Sequence, residues 1–330
     1  MELDAYRGKR ILITGGTGYL GTNLIQGLVH TPCTIIRLGR PTAAFVSVDG
    51  IACIEDVVGD IRDREIWPSL LEGVDYVFHL AAYEHKHGSE HDPVLDLEVN
   101  ALSVLHLLEV CRQEKYFPKI VFVSSTNIVG LPSKIPIDET SVDNPLTVYA
   151  IHKLMAEKYL QYYAREFHLQ SVTLRLSNVY GPAPDDESAA HVVLNRIIRK
   201  AVRGGPLTLY KNHSCVRDYV FVDDVTTAFL MAGISREAAS GQYFVIGTGV
   251  GCRIMDAVNL IAERTALRTG RRPAVEVKPT EPLEAIEWRN SVADMSRFRV
   301  ATGWSPRVFL IEGIDRTIDY FLNDREKAVR

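Results

Sequence analysis

Tyr149 and Lys153 stand four residues apart in Val148-Tyr149-Ala150-Ile151-His152-Lys153, at the start of a stretch patterned as a helix. That spacing puts both side chains on one helix face, where an ammonium stabilises a phenolate and draws the phenol towards the working pH. Such a tyrosine can serve as a general base. A half-buried tyrosine beside a solvated lysine would show the same spacing, so the pair needs a context. Val123-Ser124-Ser125-Thr126 supplies one, because it closes an apolar, strand-like run with hydroxyls. In doubly wound sheets the carboxyl ends of the strands are where ligands bind.

A second chemistry is written near the N-terminus. Ile11-Leu12-Ile13-Thr14 reads as a strand, runs into Gly15-Gly16-Thr17-Gly18-Tyr19-Leu20-Gly21 and continues as a helical pattern. Gly15, Gly18 and Gly21 form a G-x-x-G-x-x-G cradle for a pyrophosphate at a helix N-terminus. An NAD site normally places an acid at the end of the next strand, about 20 residues on. Here that strand ends Arg37-Leu38-Gly39-Arg40, so a 2′-phosphate would meet a cation at Arg40, which favours NADP. The competing possibility is that Arg37 and Arg40 decorate a solvated loop. Gly59-Asp60-Ile61 follows a short apolar run, and Asp60 is either an adenine contact or a helix cap.

Those residues must be positioned by a sheet. Arg10–Thr14, Thr34–Leu38, Tyr76–Leu80, Ile120–Ser124, Ser171–Leu176 and Tyr243–Ile246 read as strands, and Tyr19–Leu28, Val94–Arg112 and Tyr149–Phe167 as crossover helices. The βαβα alternation predicts an α/β, Rossmann-type doubly wound parallel sheet. Beyond Gly181 the alternation weakens, which predicts a dinucleotide-binding domain over 1–181. A smaller, interwoven substrate lobe is expected over 182–330, some of whose segments return to the sheet. The 330 residues are 46% hydrophobic and 24% charged, enough for a sizeable core. The 37 Lys plus Arg against 41 Asp plus Glu, without a basic block, argue against a nucleic-acid partner. No apolar run is long enough to span a bilayer, and five scattered cysteines fit a reducing cytoplasm. Tyr83-Glu84-His85-Lys86-His87-Gly88-Ser89-Glu90-His91 offers a substrate contact through Glu84 and His85, a metal site from its histidines, or a solvated loop. With no ligand set elsewhere to complete a geometry, no metal is expected.

Jointly, Thr14 to Gly21, His79-Leu80-Ala81-Ala82, Asn100, Ser124-Ser125, Tyr149-x-x-x-Lys153, Leu174-Arg175-Leu176-Ser177-Asn178-Val179-Tyr180-Gly181-Pro182 and Arg217-Asp218-Tyr219 resemble the extended short-chain dehydrogenases/reductases. Within them the chain is similar to the NAD-dependent epimerase/dehydratase group that acts on nucleotide sugars, over nearly its whole length. The resemblance implies that Ser125 and Tyr149 bond the reacting sugar hydroxyl and that Lys153 binds the nicotinamide ribose. It implies a cofactor lined by Tyr19, Leu20, Leu80, Ala81, Ala82 and Asn100, together with the glycines, Gly39, Arg40, Asp60 and Ile61. Substrate would meet Thr126, Asn178, His213 and Arg217, the last pairing with a diphosphate unless it forms a surface salt bridge to Asp218 or Asp223.

Two departures narrow the activity. Val129 stands where the family often has a tyrosine after the serines. Thr126 and Asn127 stand where 4,6-dehydratases carry Asp-Glu, so ordinary dehydration is disfavoured. The expected reaction is epimerisation of a nucleotide-diphosphate sugar at C4 through a ketosugar. An NADPH-dependent ketosugar reductase, or a dehydratase drawing its acid from Glu84 or His85, is the alternative. A dinucleotide-sensing regulator would be a third, against which the retained Ser125, Tyr149 and Lys153 speak. Apolar residues on more than one face of Ala101–Arg112 and Tyr149–Phe167, including Leu102, Leu105, Leu108, Leu154, Tyr159 and Tyr163, match the family's four-helix homodimer interface.

Overall fold

The computed structural model describes residues 3–83, 92–182, 192–236, 241–278 and 284–329, with side chains to 323. Seven strands form a wholly parallel sheet: β1 (Arg10–Thr14), β2 (Thr34–Gly39), β3 (Cys53–Val58), β4 (Tyr76–His79), β5 (Lys119–Ser125), β6 (Ser171–Leu176) and β10 (Gln242–Ile246). Their order is β10-β6-β5-β4-β1-β2-β3, with Leu12 opposite Ile36 on one side and Val77 on the other. The chain reverses its winding beside β1, and this opens a crevice at the carboxyl ends of β1 and β4. The central strands read as unbroken apolar runs because both faces are buried. Ile11 and Ile13 pack with α1 (Tyr19–Leu28) and α7 (Val222–Ile234), while Leu12 packs with α2 (Trp67–Leu71), α4 (Ser103–Glu114) and α5 (Val148–Phe167).

Sequence and structure part at two elements. β3 carries Glu55 and Asp56, which imitate a solvated loop. On the sheet edge their charges are met by Arg10 of β1 (Nη2 to Oε2 2.8 Å) and Arg37 of β2 (Nε to Oδ1 2.6 Å). The helix expected over Val94–Arg112 is broken into α3 (Pro93–Leu97), a π turn (Glu98–Leu102) and α4. The wide turn brings Asn100 inward, and such turns recur where a helix serves a site.

Past Gly181 the chain builds a smaller layer. It contains α6 (Val193–Val202), α8 (Ile254–Thr269) and α10 (Leu310–Val329) around Leu194, Ile198, Ile261, Ile314 and Ile318. A three-stranded sheet of β7 (Asn178–Tyr180), β9 (Val216–Phe221) and β11 (Gly251–Arg253) joins this layer to the crevice. β8 (Leu207–Leu209) and β12 (Val275–Val277) pair nearby, and α9 (Ser296–Thr302) covers β10.

Candidate active site

The glycine turn is built by close approach. Gly15 has φ +67°, and a Cβ there would stand 2.8 Å from the Ala81 backbone nitrogen. A Cβ on Gly21 would collide with the Gly15 carbonyl oxygen, so α1 packs against the turn only with glycine there. Gly18 is the N-cap of α1 and has no side chain to occupy the helix end. The first-turn N–H groups are thus left to an anion, and the cradle fits a dinucleotide's pyrophosphate. Thr14 ties this turn to the crevice: its hydroxyl accepts from the Ala81 N–H at 3.2 Å and lies 3.2 Å from His79 Nδ1.

Leu80, Ala81 and Ala82 follow β4 beside that turn. Asn100 is buried and accepts from the Tyr83 N–H at 3.1 Å while donating to the Tyr83 carbonyl at 2.9 Å. It therefore holds the strand-to-helix loop in place. Tyr19 reaches the Gly181 carbonyl at 3.5 Å, and burial pushes its phenol up, while Leu20 packs inward. Ile61 is buried, and its carbonyl accepts from Trp67 Nε1. The Asp60 carboxylate is taken by Arg62 (Oδ2 to Nη2 2.6 Å), which holds its pKa below the usual range. Arg37 is not a solvated decoration but a buried partner of Asp56, whereas Arg40 is exposed.

The candidate reacting groups lie on the end of β5 and the start of α5. Thr147 caps α5 by accepting from the Ala150 N–H at 3.2 Å, so Tyr149 sits in the first turn, at the positive end of the helix. Lys153, one turn on, is fully buried. Its Nζ donates to the Val123 carbonyl at 3.2 Å and lies 5.8 Å from the Tyr149 ring and 4.7 Å from that of Phe122. Ser125 ends β5 half-buried. Its Oγ accepts from the Asn127 N–H at 3.1 Å and keeps its own proton to donate. Thr126 is turned away: it is buried, with its hydroxyl given to the Leu176 carbonyl at 3.3 Å. Glu84 and His85 lie outside the described residues.

On the lobe side, Asn178 Oδ1 and His213 Nδ1 are buried and have no hydrogen-bond partner among the described residues. Arg217 forms no salt bridge to Asp218 or Asp223. Its guanidinium donates to the carbonyls of Val216, Glu287 (2.8 Å) and Arg289. Asp218 is buried and binds the backbone N–H groups of Thr248, Gly249 and Ala293, which anchors the strand carrying Arg217. Arg289, not singled out from sequence, stands beside the same Tyr219 as Arg217; burial drives that phenol up against the pull of both guanidiniums. Also missed was the buried Arg175, bidentate to Glu157 one turn beyond Lys153 and 2.7 Å from Asp143 ahead of α5. The signal was present in the i,i+4 step from Lys153 to Glu157.

A glycine cradle on β1, with Ser125, Tyr149 and Lys153 at the end of β5, defines a short-chain dehydrogenase/reductase of the extended kind. The model of the NAD dependent epimerase/dehydratase family matches residues 11–247. The chain belongs to that family. It is 32% identical over 320 residues to a UDP-glucose 4-epimerase of Mycolicibacterium smegmatis, covering 95% of this chain and 99% of the relative. Among solved structures, an epimerase of Methanothermobacter thermautotrophicus superposes with a TM-score of 0.87 at 29% identity, covering 99% and 96% of the two chains. A Thermus thermophilus UDP-glucose 4-epimerase, solved in complex with NAD, gives 0.78 at 32% identity over 95% and 99%.

Proposed function

We propose that this chain epimerises a UDP-hexose, or a closely related nucleotide-diphosphate sugar, at C4. One observation carries the reading: a buried ammonium, Lys153, stands 5.8 Å from the ring of Tyr149 at a helix N-terminus and donates to the Val123 carbonyl, on the strand that ends in Ser125. When bound, a nicotinamide dinucleotide supplies a hydride acceptor that becomes the donor. The chain's own part is proton handling. Tyr149 Oη takes the proton of the sugar hydroxyl, its phenolate held by the Lys153 charge and the α5 N-terminus, and Ser125 Oγ donates to the same sugar oxygen. After the ketosugar turns over in the cleft, Tyr149 returns the proton to the other epimer. His79, His213 and Asn178 have buried polar atoms without a hydrogen-bond partner among the described residues; of these we assign Asn178 and His213, with Arg217 and Arg289, to the nucleotide and its diphosphate.

Gly15, Gly18 and Gly21 would hold the pyrophosphate, with Tyr19 and Leu20 in the helix turn that follows. Ala81 and Ala82, with the loop held by Asn100, would wall the nicotinamide side. Gly39 and the exposed Arg40, with no acid at the end of β2, support a cofactor carrying a 2′-phosphate. We read residues 1–181 as the dinucleotide unit and 182–330 as mainly the sugar-nucleotide lobe. The five free cysteines support a cytoplasmic enzyme. Val94, Leu102, Ile151, Met155 and Tyr162 remain exposed on α3, the π turn and α5, which supports a homodimer across these helices, whereas Leu108 and Tyr163 are buried within the subunit.

The test is to feed UDP-galactose or UDP-glucose to purified protein and follow the C4 epimer by NMR, with the released dinucleotide weighed after denaturation. Tyr149→Phe should cost several kcal/mol of transition-state stabilisation, on the order of a thousandfold in rate, with fold and bound cofactor retained. Near-wild-type turnover would refute the assignment. Stoichiometric NADPH consumption with a ketosugar and no resident dinucleotide would make the chain a reductase instead.

A further inference from the structure

In this sheet the end of β2 is where the cofactor's adenosine ribose is held, normally by a carboxylate. Gly39 occupies that end, and the Gly16 N–H, in the phosphate turn, donates to the neighbouring Leu38 carbonyl at 3.1 Å. Asp56 on the next strand and Asp60 just beyond it are already engaged, by Arg37 and Arg62. What faces Gly39 is an aromatic ring. A Cβ on Gly39 would stand 2.8 Å from Phe45 Cζ and 2.9 Å from Thr17 Cγ2, so the ring and the methyl of the phosphate turn both close on the end of β2.

Phe45 lies on the irregular stretch between β2 and β3, and this stretch is pinned. Arg37, buried, places its guanidinium carbon 5.3 Å from the Phe45 ring centroid and donates through Nη1 to the Val46 carbonyl at 2.7 Å. The stem of Arg37 runs beneath the phosphate turn, since a Cβ on Gly16 would meet its Cγ at 2.7 Å. One buried arginine thus locks the ring to the turn that receives the pyrophosphate.

We propose that Phe45 is the wall of the adenosine subsite, retaining the dinucleotide by packing where the family fold usually uses an acid. The ring acts on the part that NAD and NADP share, while Arg40 alone acts on a 2′-phosphate. This rests on the cofactor reading above.

The test is exchange of bound dinucleotide for isotope-labelled NAD+ and NADP+ in the purified full chain, read by mass spectrometry. Phe45→Ala should speed exchange at least tenfold for both dinucleotides, and Phe45→Leu, which keeps apolar bulk, should fall between it and wild type. Arg40→Ala should alter NADP+ exchange only. Wild-type protein that neither retains a dinucleotide nor takes up added NAD+ or NADP+ overturns the cofactor reading and this role with it. Wild-type protein that holds one, with unchanged or slower exchange in folded Phe45→Ala, overturns the role of Phe45 alone. If that variant does not fold by circular dichroism, Phe45→Leu decides on the same criterion.

Discussion

At the residue scale, the proposed chemistry of Tyr149 depends on the buried charge of Lys153. Lys153 is buried against Phe122, donates to the Val123 carbonyl and lies 5.8 Å from the Tyr149 ring, so its charge bears on that ring. His79 shows the electrostatic consequence. It is wholly buried, stacks on Phe122 at 5.9 Å, and its pKa is lowered to about 3 by burial first and by the Lys153 charge second. Unfolded, the imidazole titrates near 6.5, so between that value and about 3 the unfolded chain binds the extra proton. The stability gained by keeping the ring neutral is whole above 6.5 and drains as pH falls, by at most about 1.4 kcal/mol per unit. Urea unfolding at pH 7.5 and 5 should show wild type losing about 1–2 kcal/mol more than His79→Asn on acidification. Equal losses would mean that another group sets the acid limit.

At the scale of elements, α5 is the part that must not move under the proposed mechanism, since it carries Tyr149 and Lys153. Arg175 on β6 grips it through Glu157 and grips the segment before it through Asp143. Arg175 and Glu157 have fully buried side chains, and Tyr243 lies 3.9 Å from the guanidinium. Removing Glu157 leaves the buried Arg175 with Asp143 alone, so Glu157→Gln should cost about 3 kcal/mol in chemical denaturation. Arg175→Met combined with Glu157→Met should recover part of that loss, because neither charge is then left alone. Additive losses in the double variant would show that the pair is not coupled. The π turn makes a similar point: Asn100 faces the Tyr83 backbone only because the helix widens there, and a regular helix would turn its amide elsewhere.

For the whole molecule, Ile151, Met155 and Tyr162 make an exposed stripe along α5, with Val94 and Leu102 beside it. Spacings of four and seven residues keep such a stripe on one helix face. Paired across a two-fold axis, it would join two subunits away from the crevice. Ile151→Glu with Met155→Glu should halve the mass seen by light scattering after gel filtration, with the subunit still folded. An unchanged mass would place any assembly on another surface, and a monomeric wild type would end the dimer reading.

Strand runs, the glycine turn, Ser125 and the Tyr149–Lys153 step were all legible in the chain, because each depends on near neighbours, a repeat period or the steric needs of glycine. β3 was not, since its acids make sense only against Arg10 and Arg37 across the sheet. Nor was the inward turn of Thr126, the carbonyl cage around Arg217, or the meeting of Phe45 with Gly39. Local spacing determines which face of an element a residue occupies. Which partner waits there, and whether a charge is solvated, paired or buried, is decided only when segments distant in sequence pack together.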